Sequence, residues 1–246
     1  MIRRTIALAV VVSAFAWGSA SAQNIPGYIT AAVNDKSRPA ADVMRDADRK
    51  PAESLAFSTV KPGDQVLELI GGGGYYTRLL SDVVGPMGRV YTTVPAGLVA
   101  VRPQAADGLK AIAQDHFNVV VLVQPTGTPA SQGPADVVWT SLNYHDLHNP
   151  GPFGAEDMAL FNKAVYGALK PGGVFFVIDH AAAPGAGFTQ TGTLHRADPE
   201  AVKAEIMKAG FLFDGESKAL SRPNDTHTTH SDDKDDQFIF RFRKPQ

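Results

Sequence analysis

A chain of 246 residues, 44% hydrophobic and 20% charged, can bury a substantial core and is too ordinary in composition for a fibrous or disordered protein. Its formal net charge of −2 leaves no basic footprint for nucleic acid. With no cysteine, it has neither disulfides nor thiolate metal sites.

In chain order, residues 1–22 read as a secretory signal peptide. Arg3 and Arg4 precede an apolar run from Ile6 to Trp17, and Ala20-Ser21-Ala22 offers a small-residue cleavage site before Gln23. The run is too short to span a bilayer stably, and the arginine pair fits the twin-arginine motif poorly. Cleavage after Ala22 predicts a periplasmic or secreted protein of net charge about −4, with no stable membrane insertion.

Residues 23–60 read as an N-terminal helical cap, with helices beginning at Pro39 and Pro51. The charged run Arg45, Asp46, Asp48, Arg49 and Lys50 reads most simply as a solvated face, with a substrate-facing role for Arg45 or Arg49 as the alternative.

Residues 61–246 alternate strand and helix. Val66 to Ile70 is a buried strand, followed at once by Gly71, Gly72, Gly73 and Gly74 and by a helix from Tyr75. Further strands are expected at Arg89–Val94, Val119–Val123, Asp136–Thr140 and Val174–Asp179, and the last pair at 211–216 and 238–242. Helices are expected near 105–114, at 155–169, and from an N-cap at Asp198 to Gly210. Lys170 to Gly173 reads as a turn, and the polar segment 217–236 as a mobile loop. The alternation describes a doubly wound α/β sheet.

At the glycine turn, backbone can approach a ligand where a Cβ would collide, and the N–H groups of the following helix face it. Glu68 lies inside the strand just ahead. A carboxylate there repels a pyrophosphate, so it suits a cationic ligand rather than a dinucleotide or a P-loop phosphate. The plain alternative is a glycine-rich β–α turn with no ligand.

Glu68 followed by Gly72 and Gly74 resembles the first motif of class I S-adenosylmethionine (SAM)-dependent methyltransferases. The resemblance runs from about residue 60 to 243. Lys61-Pro62-Gly63-Asp64, Gly88-Arg89-Val90-Tyr91, Ala135-Asp136-Val137-Val138, Leu169-Lys170-Pro171-Gly172-Gly173 and Ala209-Gly210-Phe211 follow in the expected order. More narrowly, residues 143–148 (Asn-Tyr-His-Asp-Leu-His), Leu194-His195-Arg196 and Phe242 to Pro245 resemble a group of secreted bacterial predicted methyltransferases.

The resemblance implies a Rossmann-like, doubly wound seven-stranded sheet with its last strand antiparallel. It also implies SAM as cofactor, held by Glu68, Gly71, Gly72, Gly73, Gly74, Tyr75, Thr77, Gln124 and Asn143. Three positions depart from the family pattern. Ile70 stands where the first glycine belongs, Val94-Pro95 where an acidic residue binds ribose, and Gln124-Pro125 where an Asp commonly meets adenine. Losing the ribose carboxylate weakens binding by about 1–3 kcal/mol.

For chemistry, the loop after the fourth strand brings His145 and Asp146 to the carboxyl edge of the sheet, beside His180 and His195. His145, oriented by Asp146 or Asp179, is the candidate base for a small-molecule acceptor. Tyr75 and Tyr144 are candidate walls for a sulfonium. A non-catalytic ligand-binding protein is the first rival reading. The second is a metal-dependent hydrolase using a His145/His148/His180 rim, although that spacing is no strong metal signature and no metal ligand is assigned. His116, His227 and His230 read as surface residues.

Overall fold

The computed structural model describes residues 24–155 and 157–246; the predicted signal peptide lies outside the described residues. Four short helices form the cap: α1 (Gly27–Val33), α2 (Ala40–Val43), α3 (Asp46–Arg49) and α4 (Pro51–Ser58). Then come β1 (Gln65–Leu69), α5 (Tyr75–Val84), β2 (Arg89–Pro95), α6 (Ala96–Val101), α7 (Asp107–Asp115), β3 (Val119–Gln124) and β4 (Ala135–Ser141). The chain continues through α8 (Met158–Ala168), β5 (Leu169–His180), α9 (Pro199–Lys208), β6 (Leu212–Ser217) and β7 (Gln237–Arg243). The expected alternation is present, with α6 added where no helix was anticipated.

The seven strands lie in the order β3-β2-β1-β4-β5-β7-β6. β7 runs antiparallel to both neighbours, and the other pairs are parallel. Both faces are covered, so strand residues alternate between two apolar layers rather than between core and water. Leu67, Val138, Phe175 and Val177 pack with Phe161, Val165, Val202 and Ile206 of α8 and α9. Val66, Val137, Trp139, Phe176 and Ile178 pack against the cap and α5. The cap thus completes one layer of the core and reaches the carboxyl edge of β1, β4 and β5.

Two expectations change. Lys170 to Gly173 belongs to β5, whose pairing with β4 slips between Ala135 and Val137, with Gly172 at φ +74°. The glycine lets the chain bulge there instead of turning back. Segment 217–236 is fastened rather than loose. The buried Arg196 guanidinium grips Asp225 at 2.8 Å and Asp235 at 2.7 Å, and donates to the Ala181 carbonyl at 2.8 Å. Asp198 caps α9 through the Glu200 N–H at 3.0 Å and also takes the Gly185 N–H at 2.7 Å, which ties down the preceding loop. No helix among the described residues is long and apolar enough to cross a membrane.

Candidate functional site

A cavity of about 590 Å³ opens at the carboxyl edge of the sheet. Glu68, Ile70 to Gly73 and Trp139 form its floor; Asn143, His145, Asp146 and His180 line one wall. The cap supplies Asp42, Arg45 and Arg49, the start of α5 supplies Tyr75, and His195, His230, Asp232 and Asp233 complete the lining beside His145 and His180.

The floor is made by a backbone bend. Ile70, standing in the family's glycine position, adopts φ +55°. A β-branched residue held there costs about 1–2 kcal/mol. The bend is clamped: the Ile70 N–H donates to Thr93 Oγ1 at 2.9 Å, and its carbonyl accepts from Asn143 Nδ2 at 3.2 Å. Leu142, His195 and Asp232, which line the same cavity, also take left-handed backbone. Strain gathered around one cavity points to a site whose shape is held by the rest of the fold.

The glycines divide their work. Gly72 and Gly73 are exposed, line the cavity, and their N–H groups have no hydrogen-bond partner among the described residues. A Cβ on Gly71 would meet Thr92 Oγ1 at 2.1 Å, and the Gly71 N–H is taken by the Thr93 carbonyl. Gly74, at φ +82°, faces Ile112 and not the cavity; a Cβ there would sit 2.1 Å from Ile112 Cδ1. Gly74 therefore serves packing, contrary to its expected cofactor role. Thr77 is likewise beneath the floor, where its hydroxyl donates to Glu68 Oε2 at 2.5 Å.

Burial drives the Glu68 carboxyl up to about 7, against the opposing pull of the Thr77 and Thr92 hydroxyls and Arg78. A buried acid without a positive partner resists ionisation, so this group is poised to ionise when a cation arrives. Among the described residues, the buried Trp139 Nε1 on the cavity floor has no hydrogen-bond partner, and the buried His180 Nδ1 faces Asp235 Oδ2 at 3.3 Å.

His145 is oriented by Asp179. Nδ1 lies 2.7 Å from Asp179 Oδ1, and the His145 backbone N–H donates to Asp179 Oδ2 at 2.7 Å. With the proton on Nδ1, Nε2 is left facing Asp146 Oδ1 at 3.4 Å and His195 Nδ1 at 3.3 Å. Asp146 thus stands on the reacting side of the ring, not behind it. Burial opposes charge on His145, but Asp179 outweighs it, helped by Asp146, and the ring titrates above the ordinary histidine value. Burial pushes the neighbouring His180 down to about 4, leaving it neutral near pH 7.

Several expected site residues lie elsewhere. Tyr144 is fully buried, and its hydroxyl donates to Glu205 at 2.6 Å, so it walls nothing in the cavity. Tyr75 reaches the cavity, but its hydroxyl donates to Asp46 at 2.6 Å and Arg49 lies over its ring at 4.6 Å. His148 stacks on Phe188 with ring centroids 3.7 Å apart and turns away from the proposed metal rim. Gln124, in its better amide orientation, exchanges two 3.2 Å hydrogen bonds with the Ala130 backbone, so it is not free for adenine. The cleft between Pro95 and Gln124 holds only about 10 Å³.

Two groups read as surface have a role here. His230 lies 5.0 Å from His180 and 5.1 Å from His195 by ring centroids. Arg45 and Arg49 are no solvated face: they hold Asp233 at 2.6 and 2.7 Å, joining the cap to segment 217–236 across the cavity. The signal available in the sequence was the density of histidine and acid between His227 and Asp236.

The fold is that of class I SAM-dependent methyltransferases. A SAM-dependent methyltransferase from Mesorhizobium loti superposes with a TM-score of 0.59 at 13% identity, covering 81% of this chain and 100% of the other. A fibrillarin from Aeropyrum pernix with bound SAM gives 0.53 at 18% identity, over 80% of this chain and 76% of the other. In sequence, the chain is 25% identical over 170 residues to a ubiquinone/menaquinone biosynthesis C-methyltransferase from Pseudoalteromonas translucida, which is 62% of this chain. It spans 63% of that relative's length and 32% of a second curated relative. No family model matches the chain.

Proposed function

We propose that this chain is a SAM-dependent methyltransferase acting on a small-molecule acceptor, and that residues 1–22 direct it to the periplasm or out of the cell. One observation carries the reading: in a methyltransferase fold, a buried carboxyl with no ion-pair partner among the described residues lies under a tight glycine bend that opens into the main cavity. The sequence match to a methyltransferase and the solved neighbours support it.

The methionine end of SAM fits what is present. Glu68 would take the positively charged amino group, the free N–H groups of Gly72 and Gly73 its carboxylate, and Asn143 the adjoining edge. The adenosine end fits only once the Pro95–Gln124 cleft widens, because no carboxylate stands at Val94-Pro95 and Gln124 is engaged. Bound SAM would supply a methyl group on a sulfonium, ready for in-line displacement. The chain's own task is then alignment and proton removal. His145 Nε2, with its ring held by Asp179, accepts the acceptor's proton, and the resulting imidazolium is stabilised by Asp179 and Asp146. Arg45, Arg49 and the strap from His230 to Asp233 bound the acceptor side.

The closed adenosine cleft favours one rival, a ligand-binding protein that has kept the fold without turnover. Incubation with methyl-labelled SAM and a panel of small phenols, amines and hydroxy acids separates the two. Label transfer with release of S-adenosylhomocysteine supports the enzyme. SAM binding with no transfer to any acceptor, and no release of S-adenosylhomocysteine, supports the rival.

A further inference from the structure

Three potential ligand atoms on the cavity wall are nearly equidistant. His145 Nε2 lies 3.3 Å from His195 Nδ1, and Asp146 Oδ1 lies 3.4 Å from each of them. Metal–nitrogen and metal–oxygen bonds of about 2.0–2.1 Å at tetrahedral angles put ligand atoms about 3.3–3.4 Å apart. We propose that His145, Asp146 and His195 form a three-ligand site for a divalent first-row metal, zinc in the first place, with its fourth position open to the cavity.

Independent features support the assignment. The rear nitrogen of His145 is held by the fully buried Asp179, the carboxylate–histidine arrangement that fixes ring orientation and tautomer at metal sites. That contact leaves the Nε2 lone pair aimed at the triangle. His195 is held at φ +53°, and its ring meets that of His145 edge to face at 5.3 Å. On the same wall, the buried His180 ring packs against that of His145 with centroids 5.7 Å apart, and its Nδ1 faces Asp235 Oδ2 at 3.3 Å rather than the triangle. Two imidazoles and one carboxylate suit zinc or a similar borderline metal better than magnesium or calcium.

The neighbouring group of His180, His230 and Asp235 is a weaker candidate. Its His230 Nδ1 and Asp235 Oδ2 already share a 2.7 Å hydrogen bond.

Three protein ligands and one open position make a catalytic rather than a structural arrangement. Water or a hydroxyl bound there would ionise more easily. On the methyl-transfer reading, the metal would then replace His145 as the means of activating an acceptor oxygen. The binding assignment itself does not depend on that reading.

The test uses the chain from Gln23 onward, expressed without a histidine tag, stripped with chelator and titrated with Zn²⁺ against a chromophoric competitor, then with Co²⁺. One Zn²⁺ per chain is expected, together with the intense visible absorption of four-coordinate Co²⁺. His195→Ala and the near-isosteric Asp146→Asn should each weaken Zn²⁺ binding at least about 30-fold, with circular dichroism unchanged. His116→Ala, on another face, should bind like the parent. The proposal is overturned if the parent takes up no Zn²⁺ at micromolar concentration, if both ligand variants keep parental affinity, or if Co²⁺ gives only a pale six-coordinate spectrum. SAM titration of the same stripped protein reads the methyltransferase assignment separately.

Discussion

Replacing Glu68 by Gln removes an ionisable carboxyl from the cavity floor while keeping its shape and a hydrogen-bond acceptor for Thr77. The folded protein holds this group at about 7 against an ordinary 4.5, chiefly through burial. Folded Glu68 therefore keeps its proton in a range where the unfolded chain has released it, so the native state loses stability as pH rises from about 4.5 to about 7. The gap is worth about 3 kcal/mol above pH 7 and about 1 kcal/mol near pH 5. Glu68→Gln escapes the penalty, losing up to about 1 kcal/mol from the altered hydrogen bond to Thr77. Urea unfolding should find the variant within about 1 kcal/mol of the parent near pH 5 and about 2–3 kcal/mol more stable near pH 8. An equal difference at both pH values would refute the argument that Glu68 is buried without a cation. The stabilised variant should at the same time lose SAM affinity by at least about tenfold, because the neutral amide cannot pair with an ammonium.

The other substitutions probe distinct parts of the site. Asp179→Asn should reduce turnover at least about 100-fold while changing SAM affinity by less than about threefold, read by steady-state kinetics and calorimetry. Gly74→Ala should cost about 2–4 kcal/mol in denaturant unfolding, from the left-handed backbone and the collision with Ile112. A loss below about 1 kcal/mol would contradict the packing role. Gln124→Ala should leave SAM affinity within about threefold, since its amide is spent on Ala130, and cost about 1 kcal/mol of stability. A tenfold weakening would return Gln124 to the adenine site.

The sheet was legible because strand and helix periods are local. Apolar runs such as Val174–Ile178 and the Gly-Pro breaks between them mark where the chain must turn, and burial of such central strands on both faces removes the need for alternation. The floor was legible for the same reason: Glu68 and the glycines are adjacent in sequence. What sequence could not show is how separate segments meet. Asp233 reaches Arg45 and Arg49 across more than 180 positions, and His230 reaches His180 only because Arg196 gathers Asp225 and Asp235 beneath them. The division of labour among Gly71 to Gly74 was also hidden, because it depends on whether Thr92, Ile112 or open space faces each missing Cβ. Ile70 shows the converse: the family's residue is replaced, yet the bend it makes is retained by contacts from Thr93 and Asn143.

The central claim is that the bend above Glu68 receives the charged amino-acid end of SAM. Isothermal titration of the chain from Gln23 onward with SAM below pH 7, in buffers of different ionisation enthalpy, tests it directly. The account predicts one site per chain and proton release on binding as Glu68 ionises, with both lost in Glu68→Gln. Absence of heat at millimolar SAM, or binding of equal strength and proton balance in parent and variant, would contradict it.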